Sequence, residues 1–200
     1  ILSGLVGSEM CIRDSFSANE TFYPDKRPFF TENQTLFDIT GWDLRFINTR
    51  RIGGAPDKCS DSNEAHLGQC DSSISDTSDI NYALRYTKEG QVNKYGFFMA
   101  NEDDSLFSEG RDYFAFRYRA NLSKNDGKVG YLVTSVDRPS IDRRATANVM
   151  DFDFKPSFAS RLYGWAGEID IKEKGIQKKG YGFKTNYTVR AVSYTHLRAH

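Results

Sequence analysis

The sequence has no excess charge of either sign, no long apolar run and few residues suited to nucleophilic or metal chemistry. Its 27 basic and 27 acidic residues balance, so no overall field would attract nucleic acid or an anionic membrane surface. No apolar run is long enough for a membrane-spanning helix. These observations do not exclude a transmembrane β-barrel. Its strands alternate apolar and polar residues and its loops are polar, so a mean hydropathy of -0.60 is compatible with one.

Both ends of the chain resemble translated sequencing adapters, so we expect residues 1–15 and 192–200 to be artefacts that flank a partial domain. A signal peptide is the other interpretation of the first segment. That segment has no basic n-region, and Gly4, Gly7 and Glu9 interrupt any apolar core.

Catalytic and metal-binding constellations are sparse between these ends. One histidine remains, His66, and no Ser-His-Asp triad can be built convincingly from it. The acidic segment 57–79 lacks the Asp-x-Asp-x-Asp-Gly spacing of a calcium loop, so a solvated loop is the favoured interpretation. Phosphate-cradling glycine loops are absent too. We therefore expect no cofactor and no metal.

The rest of the chain alternates strand-like segments with turns. Apolar and polar side chains alternate with period two in Ile80–Thr87 and Phe114–Leu122, and Asp126-Gly127 is a strong hairpin signal. No segment holds a helical period. The predicted strands lie at 43–50, 80–87, 91–101, 114–122, 128–136, 150–154, 163–171 and 181–189. The sequence thus predicts an all-β fold, an antiparallel up-and-down meander of about eight strands.

The connections between these strands alternate in length. The longer ones are predicted at 57–79, 102–111, 139–144 and 172–180, and the tight ones at 89–90, 126–127 and 156. Every second connection of a meander lies at the same end, so all the longer ones emerge together. Short turns on one side and longer loops on the other are typical of outer-membrane barrels.

Two carboxylate pairs could suggest catalysis. Asp151 with Asp153, and Glu168 with Asp170, each lie two residues apart on one strand face, about 7 Å from each other, which falls in the range of an inverting glycosidase. A charged barrel lumen is the favoured interpretation, because basic residues on the same faces can neutralise them. These residues are Arg85, Arg117, Arg119 and Lys184.

The most distinctive stretch lies near the start. Pro-x-Lys-Arg-Pro-Phe-Phe-x-Glu spans 24–32, Leu36-Phe37 follows, and Arg-Arg-Ile-Gly spans 50–53. Proline restricts the residue before it to extended backbone, so Phe29 and Phe30 are expected on opposite sides. The basic heads and the single carboxylate of this stretch predict a buried structural ionic cluster. Its members are Arg27, Glu32, Arg50 and Arg51.

These motifs resemble the domain of unknown function numbered 5916. The likeness covers roughly residues 16–191, with mild departures at Asn33 and Asn48. The resemblance implies a β-barrel of the Gram-negative outer membrane that follows a family 9-like carbohydrate-binding module. It supplies no catalytic residues. An exported protein also favours a disulfide between Cys59 and Cys70 over a zinc site that includes His66.

The leading interpretation is therefore a partial, open outer-membrane β-barrel domain, an anchor or channel associated with carbohydrate binding or uptake. Its expected partners are membrane lipid and, through a module before residue 16, carbohydrate, with no nucleic acid. Two alternatives remain: the scaffold of a glycoside-acting hydrolase, and a soluble, periplasmic or secreted β-sandwich binding module. Period two cannot separate a core face from a lipid face, because both require the same alternation.

Overall fold

A computed structural model describes residues 25–32, 34–39, 47–58, 77–122 and 127–189 of the chain. One helical turn, α1 (Pro28–Thr31), and two 3₁₀ turns, Gln34–Leu36 and Thr49–Arg51, precede a single sheet. The strands are β1 (Ile80–Glu89), β2 (Asn93–Glu102), β3 (Asp112–Leu122), β4 (Gly127–Arg138), β5 (Arg143–Ser157), β6 (Ser160–Glu173) and β7 (Ile176–Val189), with a third 3₁₀ turn at Pro139–Ile141.

The sheet is an antiparallel up-and-down meander in which each strand pairs with the next, in the order β1-β2-β3-β4-β5-β6-β7. Within the described residues β1 and β7 pair with no further strand, so the sheet is open. This arrangement confirms the predicted all-β meander, with seven strands in the described ranges. The predicted strand at 43–50 is wrong where the structure describes it, since Thr49–Arg51 forms a 3₁₀ turn.

The two faces of the sheet differ in what covers them. We call the face that packs against the described residues of the segment 25–58 the inner face and the opposite one the outer face. Phe30, Leu36 and Ile52 of the N-terminal segment belong to one buried cluster with sheet residues. Besides Phe98 and Trp165, those sheet residues are small or aliphatic, namely Ala100, Ala115, Leu132, Ala145, Ala147, Val149, Ile169 and Ile171. Small side chains leave room for the segment to lie close to the sheet.

The N-terminal segment is folded locally by proline and by side-chain hydrogen bonds. Arg27, before Pro28, has extended backbone (φ -77°, ψ 121°), as expected. Pro28 then begins α1, because its fixed φ suits the first helical position. The helical turn replaces the extended backbone expected through Phe29 and Phe30. Phe30 is buried while Phe29 is largely exposed, and their rings meet edge to face at 5.2 Å.

Strand β6 corrects the expected polarity of the sheet. The row Tyr163, Trp165, Ile169 and Ile171 lies on the inner face, because Ile169 pairs with Ala147 and Ile171 with Ala145, both buried. Glu168 and Asp170 therefore lie on the outer face, away from Arg117 and Arg119. Ile80 also turns inward: a register shift between Ile80 and Tyr82 places it against the buried cluster.

The connection lengths are less unequal than the sequence predicts. The basic stretch 172–180 is strand on both sides of the two-residue turn Lys174-Gly175. Both turn residues have positive φ, 48° and 77°, as in the tight hairpin turns whose twist matches the strands. In the stretch 139–144, Pro139–Ile141 is a 3₁₀ turn, Asp142 follows it, and the last two residues already belong to β5. Only 103–111 remains a longer loop among the described connections between strands.

Candidate functional site: an ionic inner face and an apolar outer face

A buried ion pair crosses the middle of the inner face. Arg117 on β3 is 0% exposed, and its Nη1 and Nη2 atoms donate to Asp151 Oδ1 at 2.6 Å and Oδ2 at 2.8 Å. Between β3 and β5 the pair passes over Gly130 of β4, which lies in register with Arg119 on β3 and with Asp151 on β5. A Cβ atom at Gly130 would lie 2.4 Å from Asp151 Oδ1 and 2.7 Å from Arg117 Nη2. Only glycine leaves space for this pair to pass over the backbone.

Three arginines of the inner face also hold the N-terminal segment by its backbone carbonyls. Arg117 Nε donates to Leu36 O at 3.1 Å. Arg119 donates to Asp38 O at 3.3 Å, and Arg85 to Phe29 O at 2.9 Å. Arginine side chains of the sheet thereby supply hydrogen-bond donors to backbone carbonyls of the irregular segment. The charged row predicted as a lumen lining acts here as a set of anchors.

A second ionic cluster, the loop cluster, joins the segment 53–57 to the strand ends beside it. Glu102 accepts hydrogen bonds from the Gly53 amide at 2.8 Å and from Arg111, through both Nη2 at 3.0 Å and Nε. Asp57 is 3% exposed and accepts from Arg138 Nη2 at 2.6 Å and from Arg111 Nη1 at 3.5 Å. Two buried carboxylates are thus balanced by two guanidinium groups, the buried one of Arg111 and the partly exposed one of Arg138.

The loop cluster also perturbs the groups around it. Burial would lower the pKa of Arg111, but electrostatic interactions with Tyr113, Glu102 and Asp57 and the hydrogen bonds to Glu102 outweigh it, so its pKa is raised. Burial raises the pKa of Tyr113, and the neighbouring Glu102 adds to that effect. The Tyr113 hydroxyl therefore stays protonated and donates to Glu102 Oε1 at 3.3 Å.

The predicted cluster of Arg27, Glu32, Arg50 and Arg51 is arranged differently. Arg27 takes Asp25 as its ion-pair partner, at 2.7 Å, and donates to the carbonyls of Ile52 and Thr49. Glu32 is exposed, and its charge acts on Arg85. Arg50 and Arg51 form part of the 3₁₀ turn that Arg27 holds. Arg27 thus fixes this segment with Asp25 as its carboxylate partner.

Asp25 was not identified from the sequence as the partner of Arg27. Asp25 is the variable residue of the Pro-x-Lys-Arg-Pro motif, and nothing in its sequence neighbourhood indicates that it is buried. Burial raises the pKa of Asp25, but hydrogen bonds from Arg27 and Thr49 outweigh it and the net shift is downward. The predicted disulfide between Cys59 and Cys70 lies outside the described residues.

Both carboxylates of the pair on β5 are engaged by arginine. Asp153 accepts from Arg161 Nε and Nη2, each at 2.8 Å. The hydrogen bonds from Arg161 lower the pKa of Asp153, although burial opposes them. Glu168 and Asp170 lie on the outer face, where Asn148 donates to Glu168 and Gln177 donates to Asp170. A general acid requires a raised pKa, whereas that of Asp153 is lowered.

The outer face carries a broad band of exposed apolar and aromatic side chains. Cross-strand neighbours such as Tyr86 with Phe97, and Phe152 with Phe154 along β5, stack at 5.8 Å. The exposed members of the band are Tyr82, Leu84, Tyr86, Phe114, Tyr118, Leu122, Tyr131, Met150, Tyr181, Phe183, Tyr187 and Val189. Monomeric soluble proteins rarely expose contiguous apolar surface of this kind.

Polar groups border this band at one end of the strands. Asn101 bonds to Asn81 and Asp112, Arg144 pairs with Asp137, and Lys179 pairs with Asp170. This is the end that carries the 103–111 loop. The band itself continues to the opposite end, where the turn residue Phe158 is 96% exposed. The outer face is therefore divided into a polar edge and an apolar zone.

Among the described residues, no helix is long and apolar enough to cross a membrane. The same residues contain no group of three or more side chains arranged to hold a metal ion. A small cavity of about 20 Å³ lies between the N-terminal segment and the first two strands. Its walls are formed by Phe30, Phe37, Asp38, Ile47, Thr49, Arg85 and Phe98. A cavity of that size holds no more than a water molecule.

The fold and its two faces define an open antiparallel β-meander with an ionic, segment-covered inner side and an apolar outer side. Comparison of the chain with models of known families, with curated proteins and with solved structures finds no match in any of the three.

Proposed function

We propose that this chain forms part of an outer-membrane β-barrel domain, with its outer face against lipid, and that the domain serves as an anchor or channel. The observation that carries the proposal is the exposed apolar band on the outer face. In transmembrane barrels, the residues of each strand alternate between an apolar outward face and a polar inward face.

The extent of the band fits this role. Along β7 it runs from Tyr181 to Val189, eight steps of roughly 3.3 Å, or about 26 Å along the strand. A tilt of roughly 40° would reduce this to about 20 Å along the barrel axis, close to the height of the apolar zone in such barrels. Tyr118 and Tyr131 each donate a hydroxyl hydrogen bond, to Asn93 and Asn148, which lets these amphipathic rings lie in the band.

The signature near the start of the chain adds support through its resemblance to the domain of unknown function 5916. The association with carbohydrate rests on that resemblance, which implies a binding module preceding the barrel. On this proposal the covered inner face belongs to the lumen side, and the end with the 103–111 loop faces outward, because outer-membrane barrels carry their longer loops there.

The two alternatives have weaker support. A hydrolase built on Asp151 and Asp153 would have to break bidentate arginine pairs before either carboxylate could act. A soluble sandwich would need a second layer over the outer face, and the described residues provide a covering segment on the inner face alone.

The test compares two lysine substitutions on opposite faces of β7. Phe183→Lys changes an 81% exposed ring on the outer face, and Asn186→Lys changes a residue of the inner face that donates to Tyr163. In lipid vesicles we expect Phe183→Lys to cost about 2–4 kcal/mol of stability, and Asn186→Lys to cost far less.

The measurement is urea unfolding from vesicles, followed by tryptophan fluorescence, together with flotation to score insertion. A soluble protein would tolerate both changes, since exposed substitutions usually lie within about 0.5 kcal/mol. Equal stability of the two variants in vesicles, or failure of the wild-type chain to float with lipid, would overturn the proposal.

A further inference from the structure

The part of the inner face that the N-terminal segment covers is largely apolar. Leu132 on β4 pairs with Val149 on β5, and their side chains are 0% and 1% exposed. Ala115 on β3 and Ala147, two residues from Val149, are equally buried. The wall of a water-filled barrel lumen is polar. If the segment moved away, this surface would meet water, which is unfavourable for apolar groups.

The N-terminal segment fits this surface closely. Opposite Leu36, β2 has Gly96, where a Cβ atom would lie 3.0 Å from Leu36 Cδ2. The cavity between the segment and the first two strands measures about 20 Å³, which is too small for a solute. The described residues of the segment therefore form a packed layer on the sheet. Its buried apolar side chains are 2–7% exposed, namely Phe30, Leu36, Phe37, Ile39 and Ile52.

Hydrogen bonds hold the segment at several points of its length. Phe29, Leu36 and Asp38 each accept from an arginine of the sheet through their backbone carbonyls. The loop cluster holds the other end of the segment at Asp57. Lids that open are drawn from regions of low local stability, with few buried contacts. This segment has buried apolar side chains and buried ionic contacts instead.

We propose that the N-terminal segment is a permanent filling of the interior, so that the domain serves as an anchor and not as a channel that opens when this segment moves. The inference rests on the proposed membrane function and selects one of its two roles. It predicts that the segment leaves the sheet only when the whole sheet unfolds. Water reaches the inner face elsewhere, for example at Asn186 on β7, which is exposed.

The experiment measures how fast single cysteines of the full chain react with a small, charged thiol reagent in a non-ionic detergent. Val149→Cys places a thiol beneath the segment, and Asn186→Cys places one on the exposed part of the inner face. We expect Val149→Cys to react at least about 1,000-fold more slowly, because its reaction requires global unfolding. Ala147→Cys repeats the measurement if Val149→Cys does not fold. The background of every variant is Cys11→Ser, Cys59→Ser and Cys70→Ser.

A second substitution tests whether the segment and the sheet unfold together. Leu36→Ala removes a 2% exposed side chain of the segment. It should speed the labelling of Val149→Cys by about 30-fold or more, and it should lower the urea midpoint of the sheet, followed by far-ultraviolet circular dichroism, by the equivalent amount. Phe158→Ala is the control, because this turn residue is 96% exposed, and it should change neither quantity.

Two results would overturn the proposal. One is reaction of Val149→Cys within about tenfold of Asn186→Cys, since water would then reach the surface beneath the segment in the folded chain. The other is faster labelling in Leu36→Ala with an unchanged urea midpoint, since the segment would then open by itself. Flotation with lipid vesicles tests the membrane role separately. A chain that fails to float and still protects Val149→Cys would contradict the membrane role, while the segment would remain a permanent part of the core.

Discussion

At the scale of single residues, the buried charge of Arg117 is compensated by one carboxylate, Asp151, and by the Leu36 carbonyl. Arg117→Leu removes the cation and leaves Asp151 in a site with 9% exposure. We expect this change to cost about 3–5 kcal/mol, because an unpaired buried charge is strongly unfavourable. Urea unfolding measures the loss.

The matched control for Arg117 replaces both partners, since Arg117→Leu with Asp151→Leu leaves no charge uncompensated. The double variant should be more stable than the single one. A single variant as stable as the wild type would contradict the role given to this pair.

Gly130 allows the pair to cross β4. In Gly130→Ala the new methyl group would meet Asp151 Oδ1 at 2.4 Å and the guanidinium of Arg117, so the pair must shift. We expect a loss of about 1–3 kcal/mol from overpacking. Gly180→Ala is the comparison, because its Cβ would meet a single atom, Ile169 Cγ2, at 3.0 Å. Equal midpoints of urea unfolding for the two variants would show that the crossing needs no glycine.

Asp153 makes the free energy of unfolding depend on pH. Its pKa in the folded chain lies below the ordinary value of 3.8 because Arg161 donates to it. The stabilisation is therefore present above the unfolded pKa and is lost as the pH falls through the folded pKa. We expect Asp153→Asn to lower the urea midpoint at pH 7 and to differ less from the wild type at pH 3. A difference that stays constant between the two pH values would rule out this linkage.

Single-residue partners were the hardest features to predict from the sequence. Period two correctly grouped Arg117, Arg119, Asp151 and Asp153 on one face, since alternation needs no knowledge of register. The pairing of Arg117 with Asp151 spans two strand boundaries and depends on the register of β3, β4 and β5. Asp57 and Glu102 looked like ordinary loop acids, because their burial depends on the path of the segment 53–57.

At the scale of elements, the loop cluster is what joins the N-terminal segment to the strand ends. Asp57→Asn weakens the bonds to Arg138 and Arg111, and it leaves the largely buried Arg111 with fewer partners. We expect a loss of about 3 kcal/mol and faster hydrogen exchange at the Gly53 amide, which donates to Glu102.

Asp137→Asn is the control for Asp57, because Asp137 pairs with the largely exposed Arg144. An exposed pair of this kind contributes up to about 1 kcal/mol. If exchange at Gly53 rises equally in both variants, the loop cluster does not hold the segment.

Strand positions were predicted well and strand polarity less well. Seven of the eight predicted segments each overlap one of the strands β1 to β7. On β6, as on its neighbours, aromatic and aliphatic residues lie on one face and charged residues on the other. On β6, however, the aromatic and aliphatic face is the inner one. Composition cannot distinguish an apolar face that meets a covering segment from one that meets solvent or lipid. The register with Ala145 and Ala147 decides it.

At the scale of the whole molecule, the two faces predict how the chain behaves in solution. An apolar band of this extent, which the described residues leave uncovered, should drive association in water. We expect the refolded chain to sediment as large, heterogeneous species in buffer and as one species in a non-ionic detergent. A monodisperse monomer in detergent-free buffer at the same concentration would indicate that the outer face is compatible with water.

Strand direction sets a parity rule for any larger assembly. In a meander of seven strands, β1 and β7 run the same way, so joining them directly would make a parallel pair. An all-antiparallel closed barrel built from one such unit therefore requires an odd number of additional strands between them, and its total is even. Two copies related by rotation about the barrel axis would also meet β7 to β1 in parallel. Copies inserted in the same direction therefore cannot by themselves complete an all-antiparallel ring.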